Sequence, residues 1–125
     1  MENLSFRAWD KFYECMINPA GIELENGEVA HIIEQLPGET TKSSITYYEL
    51  MQSTGLKDKN GVEIFEGDIL KGPMDFGPAG FVESVAPVSY HKINGYQLHY
   101  FLLEHTEVIG NVYEDKNIKF GTMEE

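Results

Sequence analysis

Cysteine, arginine and long apolar runs are what this sequence has little of. Cys15 is the single cysteine, which excludes an intramolecular disulfide and a zinc site with four cysteine ligands. The longest apolar run holds about four residues, against the roughly 20 that a membrane-spanning helix needs. No basic start followed by an apolar stretch occurs at Met1, so we expect no signal peptide, no membrane association and a cytoplasmic location.

Basic residues are scarce as well. Nine Lys and Arg stand against 21 Asp and Glu, with Arg7 the only arginine, and the formal net charge is −12. Because phosphate contacts draw on clustered Lys and Arg, we expect no direct binding to nucleic acid or to anionic membranes. Two interpretations stay open: the charge keeps a small protein soluble, or it forms a negative surface that meets a basic protein.

The residues that are present indicate a single folded domain over 1–125. A chain of 125 residues that is 42% hydrophobic and 12% aromatic can bury a core without disulfides or metals. Short extended segments separated by turn residues predict a mainly β fold with at most one or two short helices.

The start of the chain predicts a β-hairpin region. Residues 5–10 alternate between apolar and polar as a strand does, and 12–17 follow as a second strand after a turn. Asn26-Gly27 lies between two β-prone runs and is a strong hairpin signal, because both residues tolerate a positive φ.

A small, polar, turn-forming stretch at 37–44 predicts an internal linker. It would divide the N-terminal hairpin region (1–36) from a barrel region (45–120) within the one domain. The next residues, 45–52, leave two alternatives open. Ser44 could cap a short helix there, but the Thr and Tyr content favours a strand.

The stretch 54–71 carries the clearest turn chemistry. A chain reversal is predicted at 58–61, and Gly67-Asp68 interrupts the alternation of the strands on either side. A glycine inside a strand pattern usually marks a bulge or a bend, and a small barrel needs such a bend where its sheet turns a corner.

Further strands are predicted towards the end of the chain. Residues 81–90 and 96–104 indicate two strands joined by a reversal at 91–95. Residues 107–114 are apolar on both faces, which suits a strand covered on both sides. We expect the polar tail to be frayed after Phe120.

Three blocks of residues occur in an order and spacing that span nearly the whole chain: 6–10, 50–61 continuing into 64–70, and 107–114. Together they resemble the YopX-like family of small phage and prophage proteins. The resemblance implies an SH3-like small barrel around the Gly67-Asp68 bend, an origin in a phage or prophage, and self-association. It does not supply an activity. The matching signature positions are Gly55, Asp58, Asn60, Gly61, Glu66, Gly67, Asp68, Gly110 and Asn111. Ser53 departs from the aromatic residue expected there.

Four carboxylates close together in the signature are candidates for acid–base work or for holding a hard cation. They are Asp58, Glu63, Glu66 and Asp68. A calcium loop that opens at Asp58 needs glycine at its sixth position, where this chain has Glu63, and strand alternation places Glu63 and Glu66 on opposite faces. We therefore interpret the two aspartates as residues that bond the local backbone.

The histidines and the cysteine are the other candidate ligands or nucleophiles. His31, His91, His99 and His105 form no i, i+4 pair of the helical zinc type. Cys15 lies in an apolar run and is interpreted as a small buried hydrophobe. We expect no catalytic residue, no metal ligand and no cofactor.

Two places are candidates for contact with a partner. Arg7 lies next to the single tryptophan, Trp9, and both residue types are enriched at binding hot spots; an arginine stacked on aromatic rings within the protein is the alternative. The Gly- and Pro-rich stretch 72–80 predicts a mobile loop that exposes Met74 and Phe76.

The leading functional hypothesis is a non-catalytic binding or assembly module, encoded by a phage or prophage, that forms homo-oligomers and acts in the cytoplasm of the bacterial host. An acidic decoy that occupies the nucleic-acid-binding surface of a host protein is the alternative. A small enzyme is the third hypothesis, and it requires histidines and carboxylates that converge in one pocket. Partners other than a second copy would be unidentified host or phage proteins.

Overall fold

The computed structural model describes residues 5–91, 95–98 and 100–122, and these residues are mainly β. Their only helical segments are three 3₁₀ turns, at Ile45–Tyr47, Gly77–Ala79 and Leu103–His105. The strands are β1 (Phe6–Asp10), β2 (Cys15–Ile17), β3 (Gly21–Glu25), β4 (Glu28–Leu36), β5 (Glu39–Ser44), β6 (Tyr48–Lys57), β7 (Glu63–Phe65), β8 (Asp68–Asp75), β9 (Phe81–Pro87), β10 (Ser89–His91), β11 (Gly95–Gln97), β12 (Glu107–Asn111) and β13 (Gly121–Thr122). The predicted fold class is confirmed. In the described part of the chain, no helix is long and apolar enough to span a membrane.

The chain divides into two compact units within β6. We call Asn3–Gln52 the N-terminal unit and Ser53–Glu125 the C-terminal unit. The linker predicted at 37–44 is instead the turn and strand of a hairpin. Gly38 has a φ of 79°, and this left-handed turn returns the chain so that β5 pairs with β4 along its whole length.

Antiparallel ladders build the N-terminal unit. One sheet has the order β3-β4-β5, and β1 pairs with both β2 and the first half of β6. Buried Ala8, Ile32 and Tyr48 form its core. The predicted hairpin turn is confirmed, since Asn26 and Gly27 have φ values of 53° and 81°.

The turns of this unit modify two predictions. The second strand begins only at Cys15, because the Asp10 carboxylate accepts hydrogen bonds from the N–H groups of Phe12 and Tyr13, at 2.9 and 3.0 Å, and bends the chain there. Both alternatives for 45–52 are partly realised. Ser44 accepts a hydrogen bond from the N–H of Thr46 and caps a single 3₁₀ turn, after which β6 begins.

The C-terminal unit has a curled four-stranded antiparallel sheet of order β12-β8-β9-β13. Buried Ile64, Leu70, Val88 and Phe101 form its core. The predicted bend between two strands is confirmed at Gly67, which has a φ of 88° between β7 and β8.

The β8–β9 hairpin is longer than expected. The mobile loop predicted at 72–80 is wrong over its first half, because β8 continues to Asp75 and pairs with β9 as far as Phe81. Gly72 serves close packing rather than flexibility: a Cβ there would lie 2.8 Å from the backbone Cα of Thr106. Only 76–80 forms the connection.

Three further predictions for this unit are corrected or lie outside the described residues. The strand predicted at 96–104 is short, since β11 ends at Gln97 and Leu103–His105 is a 3₁₀ turn. The tail is not frayed at Gly121 and Thr122, which pair with β9. The β10–β11 pairing brackets the predicted reversal, but its residues 92–94 lie outside the described chain.

Candidate functional site

Asp58 fastens the first signature turn to β12. This aspartate is 7% exposed; its Oδ1 accepts the N–H groups of Asn60 and Val62 at 2.8 and 2.9 Å, and its Oδ2 accepts that of Val108 at 2.9 Å. Burial alone would raise the pKa of Asp58, but the three backbone donors outweigh burial and hold the pKa below its ordinary value. The carboxylate is therefore ionised at neutral pH and fully engaged with the backbone.

Asp68 and Gly67 fasten the second signature bend in the same way. Asp68 is 1% exposed and its Oδ2 accepts the N–H of Phe65 at 2.8 Å. The backbone carbonyl of Asp68 accepts the N–H of Val88 at 2.8 Å, and that of Gly67 accepts the N–H of Val112 at 2.9 Å. The bend is thereby bonded to chain segments on both sides of it.

Asn111 ends β12 and starts the next turn. Its side-chain oxygen accepts the N–H groups of Tyr113 and Glu114 at 3.0 and 2.9 Å, and its own N–H donates to the Asp115 carboxylate at 3.0 Å. Gly110 makes room for that carboxylate, because a Cβ there would lie 2.7 Å from the Cγ of Asp115.

These contacts support the structural interpretation of the signature residues. Gly55 and Gly61 both have a φ of 79°, which favours glycine. Glu66 adds its charge to the effect of burial in raising the pKa of Tyr96. The middle and last signature blocks thus meet along β12, where their side chains bond the backbone.

Exposed aromatic side chains lie at the end of the β8–β9 hairpin. Phe76, Phe81 and Tyr100 are 43%, 58% and 85% exposed. Their backbones are neighbours, because the N–H of Asp75 donates to the carbonyl of Tyr100 at 3.2 Å and Asp75 pairs with Phe81 across the hairpin. We call Phe76, Phe81 and Tyr100 the aromatic hairpin end.

The backbone of Tyr100 is strained. Its φ is 62°, in the left-handed region that a bulky side chain seldom adopts and that costs of the order of 1–3 kcal/mol. The adjoining N–H of Leu102 donates to the carbonyl of Pro73 at 3.0 Å. Hydrogen bonds that join β8 to Tyr100 itself and to Leu102 hold this segment in place, and the Tyr100 ring is exposed.

Charged side chains gather on the solvent face of the β3–β4 hairpin in the N-terminal unit. Single ligand atoms of Glu23, Glu25 and His31 lie within 4.8 Å of one another. The Lys42 ammonium on β5 is 3.3 Å from both carboxylate oxygens of Glu23. Of the residues that the structure describes, these three are the ones grouped closely enough to hold a metal ion.

Comparison with known proteins agrees with the resemblance in the signature blocks. The family model described as "YopX protein" matches residues 5–118. The chain belongs to the YopX family. A crystal structure of protein EF1440 from Enterococcus faecalis is similar to it, with a TM-score of 0.66 and 29% sequence identity over 94% of this chain and 98% of that one. No curated protein matches the chain.

Arg7 and Trp9 of this YopX-family chain lie on β1, within a sheet. Both are half-buried. Arg7 lies opposite Met51 of β6, and Trp9 lies between Met16 of β2 and Glu49 of β6. Their role in contacting a partner stays a prediction.

The second predicted contact, Met74 and Phe76, is divided by the fold. Met74 is on β8 and packs against the core of the C-terminal unit, so the expectation that a flexible loop exposes it is wrong. Phe76 begins the connection after β8 and belongs to the aromatic hairpin end.

The remaining candidates are not brought together in the described chain. Cys15 is exposed rather than buried as predicted, because it opens the short strand β2 directly after the turn. His105 is exposed at the end of a 3₁₀ turn. His99 and the side chain of His91 lie outside the described residues.

Sequence reasoning missed Phe81, Tyr100 and the Glu23–Glu25–His31 group in the YopX-family chain. Phe81 was predicted as an ordinary strand residue, and nothing local to Tyr100 marks its left-handed backbone. Glu23, Glu25 and His31 come together because of the register of the β3–β4 hairpin. The irregularity in that register hides their proximity from a reading of the sequence.

Proposed function

We propose that this YopX-family protein is a non-catalytic binding and assembly module that self-associates through the aromatic hairpin end. The observation that carries the proposal is the exposure of Phe76, Phe81 and Tyr100 on backbone segments that are hydrogen-bonded neighbours. Aromatic residues are enriched at the centres of protein interfaces because they bury large areas at low cost in conformational entropy. The family resemblance supports an origin in a phage or prophage and action inside the bacterial host.

The strained backbone at Tyr100 supports a functional surface. Strain of this kind persists where the surrounding structure enforces it, and it concentrates at sites that bind. A residue selected only for local stability at a φ of 62° would be glycine or asparagine. An exposed tyrosine there is explained by what its ring contacts in an assembly.

The net charge favours an interface built on uncharged rings. Two copies that each carry −12 repel one another, and their approach is least costly where the facing side chains are uncharged. Added salt screens the repulsion. We therefore expect self-association to strengthen from low to moderate ionic strength, which distinguishes it from binding to a basic partner.

The acidic decoy is the second candidate, and one feature of the N-terminal unit favours it. Glu25 and Glu28 form an exposed cross-strand pair beside Glu23 on one face of the β3–β4 hairpin. A basic host protein attracted to this face would be released as salt rises. The two buried aspartates of the signature would contribute little to such a surface, because their carboxylates are engaged with the backbone.

Size-exclusion chromatography with light scattering across micromolar concentrations tests the proposal. We expect the unmodified protein to exceed the monomer mass. The variant Tyr100→Asn should weaken association roughly tenfold or more, as loss of an interface anchor does. Asparagine tolerates the left-handed backbone, so this variant keeps the fold.

The matched control is Tyr13→Ser in the N-terminal unit. Tyr13 is 75% exposed and pairs edge-to-face with Phe12, so this variant removes an equally exposed aromatic ring elsewhere. It should leave association unchanged. A monomeric unmodified protein at all concentrations, or equal loss in both variants, contradicts the proposal.

A further inference from the structure

We propose that Glu23, Glu25 and His31 bind one divalent cation of the zinc class on the solvent face of the β3–β4 hairpin. Two carboxylates and an imidazole are a donor set that zinc accepts, and three protein ligands leave a coordination position open for water or for a group from a partner. This inference concerns the N-terminal unit and is independent of the aromatic hairpin end.

A β-bulge creates the group. Counting outward from the Asn26-Gly27 turn, a regular hairpin would place Glu23 opposite Ala30, and His31 would then lie on the other face of the sheet. The register shifts between Glu23 and Leu24, so that Glu23 lies opposite His31 instead. A bulge re-aims a side chain in this way.

Burial of the core explains why the bulge is present. Val29 and Ile32 both pack in the core of the N-terminal unit, although they are three residues apart. Residues at that spacing point to opposite faces of a regular strand. One extra residue in β4 brings both apolar side chains to the core and carries His31 to the acidic face.

The contact between His31 and Glu23 has the spacing of two ligands rather than the geometry of a hydrogen bond. The Nδ1 of His31 is 3.1 Å from the Oε1 of Glu23. Nδ1 is shielded from solvent, yet it makes no hydrogen bond within the described chain. Two ligands that each lie about 2.0–2.2 Å from one zinc ion are roughly 3–3.5 Å apart.

The ammonium group of Lys42 shows that the Glu23 carboxylate already attracts a cation. Its ammonium lies 3.3 Å from both oxygens of Glu23, and its side chain is 52% exposed. A divalent ion would displace the ammonium, and the long side chain can turn outward into water. Lys42 therefore competes with the metal, and its removal should tighten binding.

Isothermal titration of the full-length protein with zinc chloride tests the site, with calcium chloride as the comparison. We expect one zinc ion per chain and much weaker binding of calcium, which prefers six or more oxygen ligands. His31→Gln and Glu23→Gln should each weaken zinc binding roughly tenfold or more, as loss of a metal ligand or of its support does. Lys42→Met should strengthen it.

His105→Gln is the matched control, because His105 is an exposed histidine in the C-terminal unit. It should leave the affinity for zinc unchanged. The proposal is overturned by absence of zinc binding, by His31→Gln binding as tightly as the unmodified protein, or by weaker binding in Lys42→Met. Circular dichroism of each variant confirms that the strands are retained, so that loss of binding is not loss of fold.

Discussion

The bends of the C-terminal unit and the β3–β4 hairpin of the N-terminal unit use their acidic residues in opposite ways. In the C-terminal unit, Asp58 and Asp68 are 7% and 1% exposed and accept backbone N–H groups at bends. In the N-terminal unit, Glu23 and Glu25 lie on the solvent face of a hairpin whose strands are bonded to each other. A carboxylate beside a bend is thus hydrogen-bonded to backbone N–H groups, whereas a carboxylate on the solvent face of two paired strands stays available to ions and partners.

Two glycines in strands, one in each unit, differ in the space around them. Gly72 of β8 faces the backbone of Thr106 with no room for a Cβ, whereas a Cβ on Gly21 of β3 would meet the end of the Ile33 side chain at 3.7 Å, an ordinary contact. Close approach of two segments therefore requires glycine at position 72, whereas position 21 has room for a side chain.

The largest effect that this comparison predicts is that of Asp58→Asn. An amide has one acceptor oxygen, so its NH₂ group would face the N–H of Val108 and leave two donors opposed. We expect the free energy of unfolding to fall by about 2–4 kcal/mol, because buried donors are left without acceptors. Denaturant unfolding measures the loss.

Glu83→Gln is the control for Asp58→Asn within the same unit. Glu83 is exposed on β9, and neutralising it should change the unfolding free energy by no more than about 0.5 kcal/mol. If the two variants unfold at the same denaturant concentration, Asp58 is not the fastening that the hydrogen bonds imply.

A pair of alanine substitutions should separate the units next. Gly72→Ala forces β8 away from Thr106 and should cost about 1–3 kcal/mol, as overpacking does. Gly21→Ala should be neutral or stabilising by up to about 1 kcal/mol, because it removes backbone freedom from the unfolded chain without a clash. Thermal unfolding of both variants gives the comparison, and equal costs would show that close packing does not distinguish the units.

The smallest predicted effect is a difference in acid sensitivity. The pKa of Asp58 is lower in the folded protein than in the unfolded chain, so its stabilisation is present above the unfolded pKa of about 3.9 and is lost as the pH falls through the folded pKa. The unfolding free energy of the unmodified protein should therefore decline more steeply below about pH 5 than that of Asp58→Asn. Parallel pH profiles would contradict this.

Local chemistry made part of the fold predictable from sequence. Asn26-Gly27 and Gly67 were correctly placed at a turn and a bend, since positive φ restricts those positions to few residue types. Asp10 shows where such reasoning fell short. Its carboxylate bonds the N–H groups of Phe12 and Tyr13, which an aspartate before a turn permits but does not require.

Long-range packing decided what the sequence could not show. Gly72 resembles a loop residue until Thr106, far along the chain, is seen against it. His31 lies on the acidic face because Val29 and Ile32, three residues apart, both pack in the core. The backbone of Tyr100 is held by hydrogen bonds that Tyr100 and Leu102 make to β8. The positions of His31 and Tyr100, one in each candidate site, depend on these long-range contacts. Strand alternation in the sequence alone does not reveal them.

The bond from Val108 to Asp58 spans 50 positions of the chain and orders events during synthesis. Hairpins of the N-terminal unit join neighbouring segments and can form while the ribosome is still translating the C-terminal unit. The Asp58 carboxylate must wait until Val108 has left the exit tunnel, and such distant contacts are slow to form because a long loop has to close first. During that interval the nascent chain holds an ionised acid and the apolar strands around it without their final partners.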